Sequence, residues 1–412
     1  MVQKPGSDDL MKGLPFVAAV GCFVVTLLFV LPLHFGTYSN GMVAACIICV
    51  IYFRRRPTNS EIGAVLGCAL LLVLIRSLVF GPSQLLPFDL SDVALFLALA
   101  CLFMLLLPVP WDSKAGQKSR MADLGLALGV PAFAMGISLP LWLEAGISRR
   151  TLDYNLYAFD AALGFHPSFW IGRILVSHAW LQGMCGIAYS GLPLMFVILA
   201  TGPAVSRIRP RLLLTMFAAG VVGGILYQIV PAAGPIYALH SRFPFDPPVA
   251  RRFLRIATIE IPRGTPRNCM PSLHFGWTLL IFLNVCWSSW RRIGAGLLVV
   301  LIAIATLGFG EHYLIDLIVA VPFILAVQEA SDRQWSLAAI NGTLTMAWLL
   351  GLRYATGALT GSVPLAWFLV IATLVLSLGI HNFEINGRRI AIRRPASEEN
   401  VMLQPQATVE SA

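Results

Sequence analysis

Apolar residues occur along this chain in long, uninterrupted runs that short polar stretches separate. A run of roughly 20 apolar residues can cross a bilayer as a helix, and unbroken runs favour helices over alternating barrel strands. The pattern therefore predicts an all-α polytopic membrane protein with about 12 transmembrane helices. The predicted spans are 15–33, 38–53, 62–80, 91–109, 122–143, 183–201, 211–230, 272–289, 293–310, 313–329, 336–352 and 364–380.

Composition supports a membrane protein. Only 12% of the 412 residues are charged and 58% are hydrophobic, whereas about 25% of the residues of a soluble domain are charged. We interpret the net charge of +9 as a sign of topology and lipid contact. A nucleic-acid partner is not expected. The predicted location is the cell membrane, or an endomembrane in a eukaryote.

The distribution of basic residues predicts the orientation. With both termini in the cytoplasm, every cytoplasmic connection carries at least one Lys or Arg, while the loops at 34–37 and 81–90 carry none. This agrees with the positive-inside rule. The extracytoplasmic loop 231–271 is the exception. An anionic headgroup would explain its cluster of arginines, although a solvated loop is the simpler alternative; these residues are Arg242, Arg251, Arg252, Arg255, Arg263 and Arg267.

Two histidines stand at the beginnings of predicted spans. His274 ends the segment Cys269–His274, and His312 lies in the segment Glu311–Asp316. One complete helical hairpin separates the two spans, so both histidines are expected on the extracytoplasmic side. Ionisable residues at membrane depth are functional candidates, and helix N-termini favour phosphate. The Ser272 hydroxyl could cap its helix or donate to an anion.

The spacing of His312 and Asp316 places them on one helix face. The carboxylate could accept a hydrogen bond from one ring nitrogen, which would fix the tautomer and leave the other nitrogen as a nucleophile or base. His274 could then protonate a leaving oxygen, while arginines stabilise charge on the phosphoryl oxygens. The alternative is structural: a hydrogen-bonded His–Asp pair and an interfacial histidine.

Other chemistries have little support in the sequence. No acidic cluster is expected near the histidines and His-x₃-Asp alone is too little for zinc, so we predict no metal and no cofactor. Neither a Walker phosphate loop nor a Gly-x-Ser-x-Gly elbow occurs. Most of the eight cysteines lie inside apolar runs and are expected to be buried free thiols.

The motifs resemble those of a known family. Met270-Pro271-Ser272-Leu273-His274, followed by His312-Tyr313-x-x-Asp316, resembles the type 2 phosphatidic acid phosphatase (PAP2) superfamily, in particular its inositol phosphorylceramide synthase (inositolphosphotransferase) branch. The segment 156–168 is similar to one common in bacterial members. The resemblance implies a six-helix core at 122–330 and metal-independent phosphoryl transfer. It implies a phosphohistidine on His312, oriented by Asp316, with His274 as the acid.

The sequence departs from the superfamily where phosphate is usually bound. The Lys-x₆-Arg-Pro motif is missing, and Ala305-Thr306 replace the expected Ser-Arg pair. Other cations must then meet the phosphate charge. Arg263 and Arg267 are the first candidates because they adjoin the helix of His274, and Arg255 is next. The transferase branch tends to lack the same elements, which favours transfer over hydrolysis.

These observations predict four regions: N-terminal transmembrane helices of unknown role at 1–121, a catalytic core at 122–330, a helix pair at 331–381 and a disordered cytoplasmic tail at 382–412. The expected activity is transfer of a phosphoryl or phospho-headgroup from a membrane lipid phosphate to an inositol-like polyol or to water. One alternative is a lipid phosphatase that acts by hydrolysis alone. An alternative of another class is a transporter or a non-catalytic lipid-binding protein.

Overall fold

The computed structural model describes residues 38–80, 90–107, 120–129, 150–201, 209–248, 258–262, 265–284 and 289–393. These residues are almost entirely helical. Their one sheet is an antiparallel pair of two-residue strands, β1 (Arg150–Thr151) and β2 (Ile259–Glu260). The predicted all-α class is confirmed for this part of the chain. The first predicted span, 15–33, lies outside it.

Three long helices and a helical segment at 120–129 precede the sheet. The helices are α1 (Tyr38–Phe53), α2 (Asn59–Phe80) and α3 (Leu90–Leu106). Both α1 and α2 pack against α3, and α1 also contacts a later helix, α6 (Ala179–Thr201). Apolar side chains fill the space between them, for example Ile51 and Leu105.

The middle of the chain carries the predicted site. Region 150–182, which lacked a clear prediction, contains two short helices, α4 (Asp153–Ala162) and α5 (Pro167–Ser177). The elements in chain order are α4, α5, α6, α7 (Arg209–Leu226), α8 (Pro235–Ala238), a 3₁₀ turn (His240–Arg242), α9 (Leu273–Asn284), α10 (Ser289–Gly308) and α11 (Leu314–Ser331).

Helices α9 and α11, which begin near the two histidine segments, pack against each other and against α7. Gly276 makes this close approach possible, because a Cβ atom there would lie only 2.7 Å from the side chain of Ile324. Ser272, just before α9, donates its backbone N–H to the carbonyl oxygen of Asp316 in the first turn of α11 (3.3 Å). The starts of the two helices are therefore neighbours.

The C-terminal helices pack directly on this region. They are α12 (Trp335–Tyr354), the single turn α13 (Thr356–Leu359) and α14 (Val363–Arg393). Asn341 of α12 donates to both carboxylate oxygens of buried Glu329 in α11 (3.2 and 2.9 Å), and His381 of α14 lies 3.7 Å from the same carboxylate. Helix α14 extends into the segment predicted as a tail, and 394–412 lies outside the described residues.

Among the residues that the structure describes, two helices are long and apolar enough to cross a membrane, Leu314–Ser331 and Trp335–Tyr354. Several other predicted spans coincide with shorter apolar helices, such as Leu273–Asn284 and Val363–Gly379. The number of twelve spans and the orientation of the termini stay predictions.

Candidate active site

His312 lies in the turn between α10 and α11, and only 2% of its surface is exposed. Its backbone N–H and that of Glu311 both donate to the carbonyl oxygen of Thr306 (3.1 Å each), which closes the turn. The hydroxyl of Ser168, at the start of α5, donates to the carbonyl oxygen of His312 (2.9 Å). Hydrogen bonds from two different helices therefore fix the backbone that carries this imidazole.

The ring of His312 is oriented by two acceptors. Nδ1 lies 2.8 Å from the carbonyl oxygen of Cys269 and 3.5 Å from Oδ2 of Asp316. A carbonyl oxygen can only accept, so Nδ1 carries a proton and Nε2 has the free lone pair in the neutral ring. The sequence predicted that Asp316 would fix the tautomer, without indicating which ring nitrogen carries the proton. The shorter bond comes from the backbone of Cys269, which no side-chain pattern could have indicated.

Asp316 is completely buried and also caps α11. Its Oδ2 accepts from the backbone N–H of Tyr313 (2.7 Å) and from the thiol of Cys269 (2.9 Å). The backbone N–H of Asp316 donates in turn to the carbonyl oxygen of Tyr313 (3.2 Å), so the two residues close the N-terminus of α11. Among the described atoms, Oδ1 of Asp316 has no hydrogen-bond partner. The Asp316 carboxylate therefore does two things: it stabilises the start of α11, and it lies beside the His312 ring in a position to orient it.

His274 occupies the second position of α9 and is half-buried. Its ring stacks on Tyr189 of α6, with ring centroids 4.0 Å apart and planes 15° apart. Among the described contacts, no carboxylate forms a hydrogen bond or ion pair with the His274 ring. Ser272 precedes it by two residues and is fully buried, with a hydroxyl that has no hydrogen-bond partner in the part of the chain that the structure describes. A buried hydroxyl of this kind usually has a partner, and a bound phosphate oxygen would supply one.

Of the three arginines predicted to bind phosphate, the structure describes Arg267. This residue is 0% exposed and is the largest of the fully buried side chains. It lies two residues before Cys269, whose backbone N–H donates to Ala232 (3.1 Å). A buried guanidinium is costly unless anionic or carbonyl groups surround it, so its position suits an anion site. Arg255 and Arg263 lie outside the described residues.

Two buried aspartates were missed by the sequence analysis. Asp160 accepts from the backbone N–H groups of Leu314 and Ile315 (2.8 and 3.1 Å), the first two residues of α11. Burial outweighs these bonds and raises the pKa of Asp160 to about 8. Its spacing from Asp153, seven residues or two turns, places both carboxylates on one face of α4. That spacing was the signal that could have identified them.

Asp153 holds a second loop beside the site. Its carboxylate accepts from the backbone N–H groups of Ala233 and Gly234 (2.8 to 3.2 Å) and from the hydroxyl of Tyr313 (3.2 Å). Burial raises the pKa of Asp153 to about 6. Through the carboxylates of Asp153 and Asp160, helix α4 therefore accepts hydrogen bonds from two segments, 233–234 and 313–315.

Glu311 was also missed, although it precedes the predicted nucleophile. Tyr237 donates its hydroxyl to Oε1 of Glu311 (3.2 Å), and burial raises the pKa of this carboxyl above its ordinary value. The backbone here is tightly packed: a Cβ atom on Gly234, whose φ is +98°, would lie 2.5 Å from the carbonyl oxygen of Glu311. Gly234 thus permits the contact between the α8 loop and the His312 turn.

One group of side chains has the composition of a metal site. Ligand atoms of Cys269, His312 and Asp316 all lie within 4.8 Å of one another, and all three residues are buried. The sequence predicted no metal because His-x₃-Asp alone is too little for zinc; the third group, Cys269, joins the pair only in the folded chain.

Comparison with known proteins finds a family model over this part of the chain. The family model described as the PAP2 superfamily matches residues 154–330. The matched segment contains His274, His312 and Asp316 and covers nearly all of α4 to α11. No curated protein and no solved structure matches the chain.

Proposed function

We propose that residues 154–330, which match the PAP2 superfamily model, form the core of a membrane-bound lipid phosphatase or phosphotransferase. The observation that carries the proposal is the buried His312, whose Nδ1 proton is donated to the carbonyl oxygen of Cys269 at 2.8 Å. In the neutral ring this bond leaves the free lone pair on Nε2. A histidine in this tautomer is suited to nucleophilic attack.

The proposed reaction has two steps. Nε2 of His312 attacks the phosphorus of a lipid phosphate, the bond to the leaving oxygen breaks, and His274 donates a proton to that oxygen. Water or an alcohol then attacks the phosphohistidine, His274 takes the proton of the attacking hydroxyl, and the imidazole is released. Asp316 stabilises the positive charge that develops on the ring at 3.5 Å.

The negative charge on the oxygens of the transferring phosphoryl group requires hydrogen-bond donors to stabilise it. The buried guanidinium of Arg267, the buried hydroxyl of Ser272 and the N-terminal N–H groups of α9 support this role. They compensate for the basic motifs that the sequence lacks. An inositol-like polyol would make the enzyme a transferase, and water would make it a phosphatase.

Outward-facing apolar side chains support a location in the bilayer. On α10, Ile293, Leu297 and Val300 are 63%, 60% and 54% exposed; on α14, Phe368 and Val375 are 66% and 63% exposed. Their spacing gives each helix one continuous apolar outer face, which lipid would cover. We propose a multi-pass arrangement with the site extracytoplasmic and both termini cytoplasmic. Reporter fusions at each terminus test the orientation, and a periplasmic or lumenal signal from either would contradict it.

The activity test uses purified protein in nanodiscs and a panel of labelled lipid phosphates, with and without polyols. We expect His312→Ala to lose at least about 10³-fold in turnover and His274→Ala about 10²–10⁴-fold. His178→Ala is the matched control, since this exposed histidine caps α5 far along the chain from both motifs.

A phosphohistidine trapped by alkaline quench in the wild type should be absent in His312→Ala. Full turnover by folded His312→Ala would refute the mechanism.

A further inference from the structure

We propose that Cys269, His312 and Asp316 bind a thiophilic divalent cation of the Zn²⁺ type. Sulfur, imidazole and carboxylate are the three side-chain ligands that Zn²⁺ uses most. The three ligand atoms lie within 4.8 Å of one another, and the residues are 0%, 2% and 0% exposed. Residues 269 and 312 are far apart in sequence, so the tertiary structure alone creates this set.

The separations are close to those of a tetrahedral site. Cys269 Sγ lies 2.9 Å from Asp316 Oδ2, and His312 Nδ1 lies 3.5 Å from the same oxygen. Ligand bonds of about 2.0–2.3 Å place tetrahedral ligands about 3.3–3.7 Å apart. To admit the ion, the Cys269 thiol and the Asp316 carboxylate must separate slightly, and the His312 ring must turn away from the carbonyl oxygen of Cys269. Independently, Oδ1 of Asp316 is buried without a hydrogen-bond partner among the described atoms, and a cation would satisfy it.

Three protein ligands leave the fourth position open, as in zinc sites that bind water or a substrate oxygen. No other acid, histidine or cysteine joins this group within the described residues. The ion would therefore be exchangeable, and a phosphate oxygen or water would complete its coordination.

Binding has a definite proton balance. The thiol of Cys269 releases its proton to solvent as the S–Zn bond forms. The proton that Nδ1 now donates to the carbonyl oxygen of Cys269 must also leave that nitrogen, and in the neutral ring it resides on Nε2. The ion thus selects the opposite tautomer and removes the lone pair of Nε2. This inhibitory consequence rests on the proposed function, whereas the binding itself does not.

The binding test uses the full-length protein in detergent with Co²⁺ alone as a spectroscopic probe and no substrate. We expect a sulfur-to-cobalt charge-transfer band in the wild type. The band should be lost in Cys269→Ser, which keeps a hydroxyl donor for Asp316 but not the thiolate ligand. Cys185→Ser is the matched control, because Cys185 is also a buried free thiol that donates to a backbone carbonyl. Its band should equal that of the wild type.

Zinc X-ray absorption on the wild type gives a second readout that needs no variant. We expect one sulfur at about 2.3 Å and nitrogen or oxygen ligands at about 2.0–2.2 Å. Absence of a sulfur ligand, or an unchanged cobalt band in folded Cys269→Ser, would overturn the proposal. If the protein hydrolyses or transfers lipid phosphate, Zn²⁺ should inhibit this activity and a chelator should restore the activity. Binding without any turnover would refute the proposed function and leave the metal site established.

Discussion

Replacing Asp160 tests whether α4 holds the turn that carries His312 in place. Asp160→Ala removes the acceptor of two backbone N–H groups, at Leu314 (2.8 Å) and Ile315 (3.1 Å). Each buried donor left without a partner costs about 1–3 kcal/mol, and loss of a helix cap alone costs about 0.5–2 kcal/mol. We therefore expect the free energy of unfolding to fall by about 2–5 kcal/mol.

The assay is unfolding in mixed detergent micelles, followed by tryptophan fluorescence. Asp246→Ala is the control of the same residue type. Asp246 forms only an exposed ion pair with Arg242, with side chains 74% and 57% exposed, so its loss should cost about 0–1 kcal/mol. Equal stability of Asp160→Ala and the wild type would refute this role of α4, because two orphaned N–H groups cannot be free of cost.

The pH dependence provides a second check on Asp160. Burial raises its pKa from the ordinary 3.8 to about 8. Between these values the folded protein keeps a proton that the unfolded chain has released, so the contribution of Asp160 to stability falls as pH rises from about 4 to about 8. Asp160→Asn cannot titrate. Its stability should change less over this range than that of the wild type, and an identical slope would contradict the raised pKa.

Two further substitutions test the packing around the site. Gly234→Ala should destabilise the protein by at least about 1–3 kcal/mol, because its φ is +98° and the new Cβ would meet the carbonyl oxygen of Glu311; unchanged stability and activity would contradict this contact. Asn341→Ala should cost about 1–3 kcal/mol, because the buried carboxylate of Glu329 would lose both its amide hydrogen bonds. Thermal unfolding measures both, and a neutral Asn341→Ala would show that α12 does not depend on this bond.

Local pattern identified the long apolar helices and the two histidine segments, but it did not identify the short helices α4 and α5 or the two acids of α4. Where the structure describes a predicted apolar run, that run is helical, because a helix satisfies the backbone hydrogen bonds of a continuous apolar segment. The spacing of His312 and Asp316 on one turn predicted their proximity, and they lie 3.5 Å apart. The Ser272–His274 segment likewise opens a helix, as its order of residues indicated.

Long-range contacts decided the rest of the candidate site. The bond that fixes the tautomer of His312 is accepted by a carbonyl 43 residues earlier in the chain. Asp160, which caps α11 together with Asp316, lies 154 residues before Leu314. Neither is visible in a local pattern, because a backbone acceptor has no sequence signature and because contacts between remote segments depend on packing. Residue types and their spacing therefore indicate which groups could react, whereas the packing of remote segments fixes the atoms that hold those groups in place.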